Sequence, residues 1–340
     1  MIISKTPLRM SFMGGGSDLS SFYRQHGGLV VSTAIDKYVF VNVNPKFDNG
    51  VRISYSVTEN VESAKEVTHP LVRACFQQMS IHGGIEITSI ADIPASGTGL
   101  GSSSSFTVGL LHALSAYKGV YMASEELASG ACYIEIDVCR EPIGKQDQYA
   151  AAFGGLNAIE FHPDETVTVT PVICNPVARQ RFEESVLVFY TGRTRSASNI
   201  LRQQSERSAS NKSTITSLQT MVSMAHDFLR HLRAGDVDIL GEILHEGWLL
   251  KRGLSQGITD DAIDDFYARA RAEGATGGKL LGAGGGGFLM VYAQVDRHEA
   301  IIRALGDLRH VNMSFAHEGS RIIFYQPPGH RTPVRQQLCE

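Results

Sequence analysis

Pro94 to Leu114 read PASGTGLGSSSSFTVGLLHAL. A glycine-rich turn (Gly97, Gly99, Gly101) gives way to serines at Ser102, Ser103, Ser104 and Ser105, and then to an apolar run. Glycine tolerates positive φ and leaves its backbone N–H open to a ligand. Serine is among the preferred helix N-caps. A helix N-terminus carries unpaired N–H donors and partial positive charge, so the junction suits an anion, above all a phosphate. A serine hydroxyl there can also ligate Mg2+. Phe106, Leu110, Leu111 and Leu114 fall at helical spacing. A Gly/Ser-rich linker is the alternative, but such a linker rarely runs straight into an apolar helix. Two common phosphate loops are excluded. The P-loop requires a lysine after its final glycine, and the dinucleotide fingerprint requires a glycine three residues after Gly99; Ser102 stands at both positions. Gly278-Lys279 is followed by Leu280, where a P-loop would need Ser or Thr.

The 340 residues suffice for two domains with substantial cores. A formal net charge of −4 and the lack of a long basic run argue against nucleic acid as a partner. Cys75, Cys132, Cys139, Cys174 and Cys339 form no CxxC pair and no metal-ligand spacing, and read as reduced thiols of a cytoplasmic protein. The N-terminus reads as a strand rather than a signal peptide, and no apolar run approaches the ~20 residues that span a bilayer, so no membrane partner is expected. A homo-oligomer is compatible with the sequence.

In chain order, Met1 to Met10 reads as a strand, followed by a second glycine loop, Gly14-Gly15-Gly16-Ser17-Asp18, and a short helix near Leu19 to Gln25. Leu29 to Asn44 reads as strand with a turn near Asp36-Lys37; Val51 to Val57 and Ile85 to Ile90 read as further strands. A helix over Ser124 to Val138, with Ser124 as N-cap, carries Glu135 near its end. Pro142 and Gly144 break it before the polar cluster Lys145, Gln146, Asp147, Gln148, Tyr149. Leu156 to Phe161 and Thr166 to Val172 read as a hairpin, which places the domain boundary at residue 176. Beyond it come a strand at Ser185 to Tyr190, a largely helical region to Arg271, a third glycine loop from Gly282 to Gly287, a strand at Phe288 to Tyr292, a helix and a closing strand at Arg321 to Tyr325. Residues 1–176, 177–326 and 327–340 are thus expected to be a first domain, a second domain and a polar tail.

Phosphoryl transfer needs positive charge around the transferring group, a metal on the phosphate oxygens, and at times a base for the attacking hydroxyl. Glu135 with Ser103 is a candidate Mg2+ pair, Asp147 a candidate base, and Arg9 a candidate source of positive charge. On the residues alone, Glu135 reads equally as a solvated helix acid, Asp147 as a helix N-cap and Arg9 as a surface ion-pair residue. Trp248 reads as core packing.

The ordered set TPLRMSFMGGGSDL, PASGTGLGSSSSFTVGLL, GKQDQY and KLLGAGGGGFLMVY resembles the GHMP small-molecule kinases over nearly the whole chain. Within that family, GKQDQYAAAFGG and YTGRTRSASNIL are most similar to the D-glycero-D-manno-heptose 7-phosphate kinases, with fucokinase and other sugar 1-kinases near them. The resemblance implies an α+β fold in two domains: an N-terminal one with a left-handed β-α-β crossover and a ferredoxin-like C-terminal one, the active site between them. It implies ATP and Mg2+, with the phosphates wrapped by Pro94, Gly97, Gly99, Leu100, Gly101, Ser102, Ser103 and Ser104, and the metal on Ser103 and Glu135. Asp147 and Arg9 match the family's catalytic positions. Gly14, Gly15, Gly16, Ser17, Asp18, Gln146, Gly285 and Gly286 would shape the substrate site. Gly15-Gly16 replace the Glu-His of galactokinase, which removes side chains that hold galactose. The implied reaction phosphorylates the anomeric hydroxyl of the heptose 7-phosphate, for a capsule or lipopolysaccharide sugar. A substrate with its own phosphate needs a second cationic pocket, for which Lys145, Arg193, Arg195 and Lys251 are the candidates. An unphosphorylated fucose- or galactose-like sugar, or a catalytically silent sugar-binding relative, are the rival readings.

Overall fold

The structure, a computed structural model, describes residues 1–94, 97–193 and 197–326. Its first element, β1 (Ile2–Met13), runs into the loop 14–19 and the short helix α1 (Ser20–His26), and the chain returns as β2 (Gly28–Pro45). The β-branched residues of β2 suit a strand with one buried face. The turn expected at Asp36-Lys37 is instead a bulge in a continuous strand. Pro7 faces Tyr38 while Leu8 faces Ile35, so the polar pair has no partner on β1. Asp36 is pinned outward by Ser314, exchanging backbone and side-chain hydrogen bonds of 2.9 Å with it.

A hairpin follows, β3 (Val51–Ser54) and β4 (Thr58–Val61), where one strand was expected. The Tyr55 N–H donates to Val57 O and reverses the chain. Next come α2 (Pro70–Gln78), opened by proline at its first position, and β5 (Ile85–Ala91). The helix after the serines is α3 (Ser102–Tyr117), buried on nearly every side. It is fastened to β1 by Ser105 Oγ donating to Pro7 O (2.8 Å) and by Ser4 Oγ donating to Gly109 O (2.7 Å). The expected single helix after it is two pieces, α4 (Ser124–Cys132) and a π-helical turn, Tyr133–Val138. Ala123 rather than Ser124 takes the cap position, its N–H held by Glu126 at 2.7 Å. Then α5 (Gln146–Phe153), β6 (Leu156–Phe161) and β7 (Val167–Pro171) complete the first half.

The second half holds α6 (Pro176–Glu184), β8 (Val186–Tyr190), α7 (Ala197–Ser210), α8 (Lys212–Ala234), α9 (Leu240–Arg252), α10 (Asp261–Ala272), β9 (Gly277–Leu280), β10 (Phe288–Tyr292), α11 (His298–Ala304), β11 (Arg309–His310), β12 (Phe315–Ala316) and β13 (Arg321–Tyr325). Four of these strands form an antiparallel sheet in the order β11-β8-β10-β9. Trp248 of α9 is buried against Tyr267 of α10, as the core reading expected. No helix among the described residues is long and apolar enough to cross a membrane.

The last strand does not close the second half. Instead β13 pairs with β1 and β12 with β2, in a nine-stranded sheet whose main path runs β13-β1-β2-β5-β3-β4. The returning chain lies against the end of α5, backbone to backbone. A Cβ at Gly154, whose φ is +68°, would stand 2.0 Å from the carbonyl carbon of Glu318. Ser320 Oγ then meets Thr6 Oγ1 at 2.8 Å and His112 Nδ1 at 3.0 Å. Gly154→Ala should therefore destabilise the fold by about 2–4 kcal/mol, combining a strained φ with overpacking. Urea unfolding measures it; a loss within about 0.5 kcal/mol, the range of surface substitutions, would mean the junction yields freely.

Another junction sets the start of α5. Glu165, in the β6–β7 turn at φ +74°, accepts from Lys145 Nζ (2.6 Å), from Tyr23 Oη (2.5 Å) and from Arg24 Nε. Partial burial pushes its carboxyl up, but the hydrogen bonds from Lys145, Tyr23 and Arg24 outweigh it and hold the group down at about 2. A carboxyl depressed in the folded state adds stability above its unfolded value, and that share is lost as pH falls through the folded value. The gap in thermal midpoint between the native chain and Glu165→Gln should thus be widest near about pH 6 and close toward about pH 2. A gap independent of pH would show that the cluster carries no net charge coupling.

Candidate active site

A cavity of about 350 Å³ opens where the loop 14–19, the loop 97–101, the starts of α3 and α5, and parts of α7, α9 and the loop 281–286 converge. That volume is in the range of small-molecule sites.

Arg9, buried within β1, lines the cavity. Its Nε and Nη2 both reach Asp147 Oδ1, at 2.8 and 2.6 Å, and Nη1 donates to Gly99 O at 2.7 Å. The Arg9 N–H donates to Leu100 O at 3.1 Å. One side chain thereby fixes the glycine loop and the first turn of α5 together. Asp147 Oδ2 carries no hydrogen bond among the described residues and faces the cavity beside Gly101.

At the other wall Gly101, in the left-handed region at φ +75°, occupies the cap of α3, where the sequence pointed to a serine. The first intrahelical bond runs from the Ser105 N–H to Gly101 O, so the N–H groups of Ser102, Ser103 and Ser104 have no helical acceptor. This anion-ready edge is held in place by the third glycine loop. A Cβ on Gly99 would fall 2.3 Å from Leu281 O, which is why side chains are missing where the loops touch.

Glu135, in the π-helical turn, is wholly buried; its Oε1 accepts from Ser103 Oγ at 3.0 Å and its Oε2 from Gln148 Nε2 at 2.6 Å. Burial pushes its carboxyl up to about 7, against the hydrogen bonds from Ser104, Gln148 and Ser103. No cation answers it among the described residues. The solvated-acid reading of Glu135 is thereby set aside. A buried carboxylate beside a serine hydroxyl at a phosphate-ready helix start fits Mg2+, which needs few protein oxygens. Among the described residues no group of three His, Cys, Asp or Glu side chains forms a metal cage.

Asp18 lines another part of the cavity wall. Its Oδ1 takes the Gly16 N–H (2.9 Å) and Gln146 Nε2 (3.0 Å). Burial, then the charge of Asp147, raises its carboxyl above the usual range. Gln146 Oε1 and Ser11 Oγ, on residues lining the same cavity, are buried without partners, an arrangement suited to the hydroxyls of a polyol.

Arg9, Gly15, Gly16, Asp18, Gly97, Gly99, Gly101 and the serines 102–104 all line the cavity, as do Glu135, Gln146, Asp147 and Gly286. Others among the expected residues support it from outside. Leu100 is buried behind Arg9, Gly14 lies against Leu29, and Ser17 Oγ bonds the backbone of Leu29. Pro94 does not line the cavity, and Gly285 is tied by its N–H to Ile258 O at 2.9 Å. Lys145 and Arg193, expected to bind substrate, do not line it: Lys145 is paired with Glu165 and Arg193 with Asp260. Arg195 lies outside the described residues. The sequence reading missed Ser11, Gln204 and Lys279, all on the cavity wall. The lysine beside Gly278 was the one available signal, since it was weighed only as part of a P-loop.

The family descriptions "GHMP kinases N terminal domain" and "GHMP kinases C terminal" match residues 64–155 and 225–310, together just over half of the chain. The chain is similar to the D-glycero-alpha-D-manno-heptose 7-phosphate kinase of Campylobacter jejuni, 28% identical over 325 residues, covering 89% of this chain and 93% of that protein. It is similar in structure to a D-glycero-D-manno-heptose 1-phosphate kinase from Bacteroides thetaiotaomicron, with a TM-score of 0.80 and 25% identity over 96% of this chain and all of that one. Lactococcus lactis galactokinase, solved with galactose, shares the fold at a TM-score of 0.73 and 16% identity, over 94% of each chain. With both paired domains of one family present in order, in the fold that family shares, the chain belongs to the GHMP kinases and is an ATP-dependent phosphotransferase with an alcohol acceptor.

Proposed function

We propose that the protein transfers the γ-phosphoryl of ATP to the anomeric hydroxyl of D-glycero-D-manno-heptose 7-phosphate, giving a 1,7-bisphosphate for nucleotide-heptose synthesis. The observation that carries this reading is the Arg9–Asp147 pair, set between a polyol-ready wall at Asp18 and Gln146 and the open N–H groups of α3. The heptose is supported by the names of the Campylobacter and Bacteroides relatives, which agree on the sugar and differ on the phosphate it already bears.

In this mechanism the loop 97–101 and the N–H groups of Ser102 to Ser104 hold the ATP phosphates. Residues 1–176 supply the glycine loop, Arg9, Asp147 and the wall at Asp18 and Gln146, and residues 177–326 complete the cavity through α7, α9 and the loop 281–286. Asp147 Oδ2 receives the proton of the anomeric hydroxyl, which is more acidic than an ordinary alcohol. Arg9 orients Asp147 through Oδ1 and offsets charge that grows on the transferring phosphoryl. Asp18 and Gln146 orient the ring through its hydroxyls. Mg2+, when bound by Ser103 and Glu135, neutralises phosphate oxygens.

Mg2+-ATP turnover against the heptose 7-phosphate, mannose, fucose, galactose, mevalonate and homoserine tests the assignment. Turnover on the heptose phosphate alone is expected, and efficient turnover of a free sugar would contradict it. Asp147→Asn should lower kcat by about two orders of magnitude or more, with ATP affinity by calorimetry unchanged; an undiminished rate would leave a base-free, positioning-only mechanism. Glu135→Gln keeps the side-chain volume but removes the charge. It should raise the Mg2+ concentration for half-maximal rate by about tenfold or more. An unchanged Mg2+ requirement would remove Glu135 as a ligand.

A further inference from the structure

Two lysines on the cavity wall have no task in the reaction described above: Lys251, in the last turn of α9, and Lys279, in β9. They are 5% and 4% exposed. Neither meets a carboxylate among the described residues: Lys251 Nζ donates to the carbonyls of Leu280 and Gly282, and Lys279 Nζ to Phe12 O at 3.0 Å. An ammonium out of water needs a counter-charge, and carbonyl dipoles supply only part of one. Burial, and then the neighbouring Arg9, draw Lys251 down to about 8. Lys279 is drawn well below its ordinary value, by burial and then by Lys251 and Arg9.

The charged groups acting on Lys251 are Arg9 from β1, Lys279 from β9 and Asp18 from the loop 14–19. Lys279 Nζ is tied to Phe12 O, two residues before the loop 14–19 that carries Asp18, and Lys251 Nζ to Leu280 O, next to Lys279 in β9, so the two lysines stand together beside the polyol-ready wall. Gln204 of α7 stands on the same side, its side-chain nitrogen against Gly16. Of the other cations that charge alone suggested for an acceptor phosphate, Lys145 and Arg193 are engaged elsewhere by acids of their own, and Arg195 lies outside the described residues.

We propose that Lys251, backed by Lys279, binds the phosphate that the acceptor already carries, a monoester dianion, and so makes the enzyme prefer a phosphorylated sugar to the free one. This rests on the sugar-kinase reading above and adds the residue that sets its specificity. The loop 97–101 and the start of α3 serve the nucleotide; Lys251 and Lys279 complete a separate anion subsite.

The test compares Lys251→Met with the native enzyme on D-glycero-D-manno-heptose 7-phosphate and on the same heptose without phosphate, with ATP varied in parallel. The variant should lose about a hundredfold in kcat/KM on the phosphorylated sugar, mainly through KM, as removal of a buried charge-assisted contact does. Its kcat/KM on the free sugar and its KM for ATP should change by less than about threefold. Equal losses on both sugars, or a raised KM for ATP, would overturn the proposal and assign Lys251 to the transferred phosphoryl.

Should the variant fail to fold, the native enzyme decides. Its preference for the phosphorylated sugar should fall as pH rises through about 8, because the free enzyme then loses the Lys251 charge. A preference constant across that range sinks the proposal. If the native enzyme uses the phosphorylated heptose and Lys251→Met uses it equally well, this inference alone fails. If the native enzyme favours the free sugar, the proposed function fails with it.

Discussion

The guanidinium of Arg9 is the contact on which the site depends. It bonds Asp147 through two nitrogens and Gly99 O through the third, while its own N–H meets Leu100 O. A planar, always-charged fork can hold a carboxylate and a carbonyl at once in fixed geometry, which a lysine cannot do. The fork stands on β1, the strand paired on one side with β2 and on the other with β13. The first residues of the chain, the last described strand and the glycine loop are therefore positioned by one element. Bringing β13 onto β1 requires the close passage at Gly154, so distant packing and site geometry belong to one mechanical unit.

Around that fork the cavity holds charges that are buried and incompletely answered within the chain. Among the described residues, Glu135 has hydrogen bonds but no cation, and Lys251 and Lys279 have carbonyls but no anion. Uncompensated burial of either sign destabilises a fold, and its concentration in one cavity has a common explanation in ligands that carry the opposite charge. A divalent cation suits the acid, and phosphate groups suit the lysines. Under the proposed function those ligands are the nucleotide with its metal and a phosphorylated acceptor, and part of the stability of the site is expected to come from what it binds.

Local patterns made much of this legible before any coordinates. The glycines, the serines and the apolar helix of residues 97–114 lie next to one another, and α3 formed where they pointed. Asp147 stands just after a Pro/Gly break, and the break does place it at the first turn of a helix. What escaped was decided by partners far along the chain. Asp36-Lys37 looks like a turn until Ser314 is seen to hold it as a bulge. Arg321 to Tyr325 reads as a strand, but nothing within it names β1 as its partner. Among the lysines, sequence shows charge and not burial. Lys145 and Lys251 are alike on paper, yet one pairs with an acid 20 residues away and the other is sealed into the cavity. Gly101 took the cap position because only a residue at ease at positive φ could turn the chain there.

The central claim is that the site joins a phosphoryl group to the anomeric oxygen of a sugar that is already phosphorylated. The most direct measurement is ³¹P NMR of the product formed from ATP and D-glycero-D-manno-heptose 7-phosphate, with coupling of the new phosphorus to sugar protons as the readout. The account predicts a bisphosphate whose new resonance couples to the anomeric proton while the original 7-phosphate resonance persists. A new phosphorus coupled to any other ring proton, or a diphosphate formed on the existing phosphate, would contradict it.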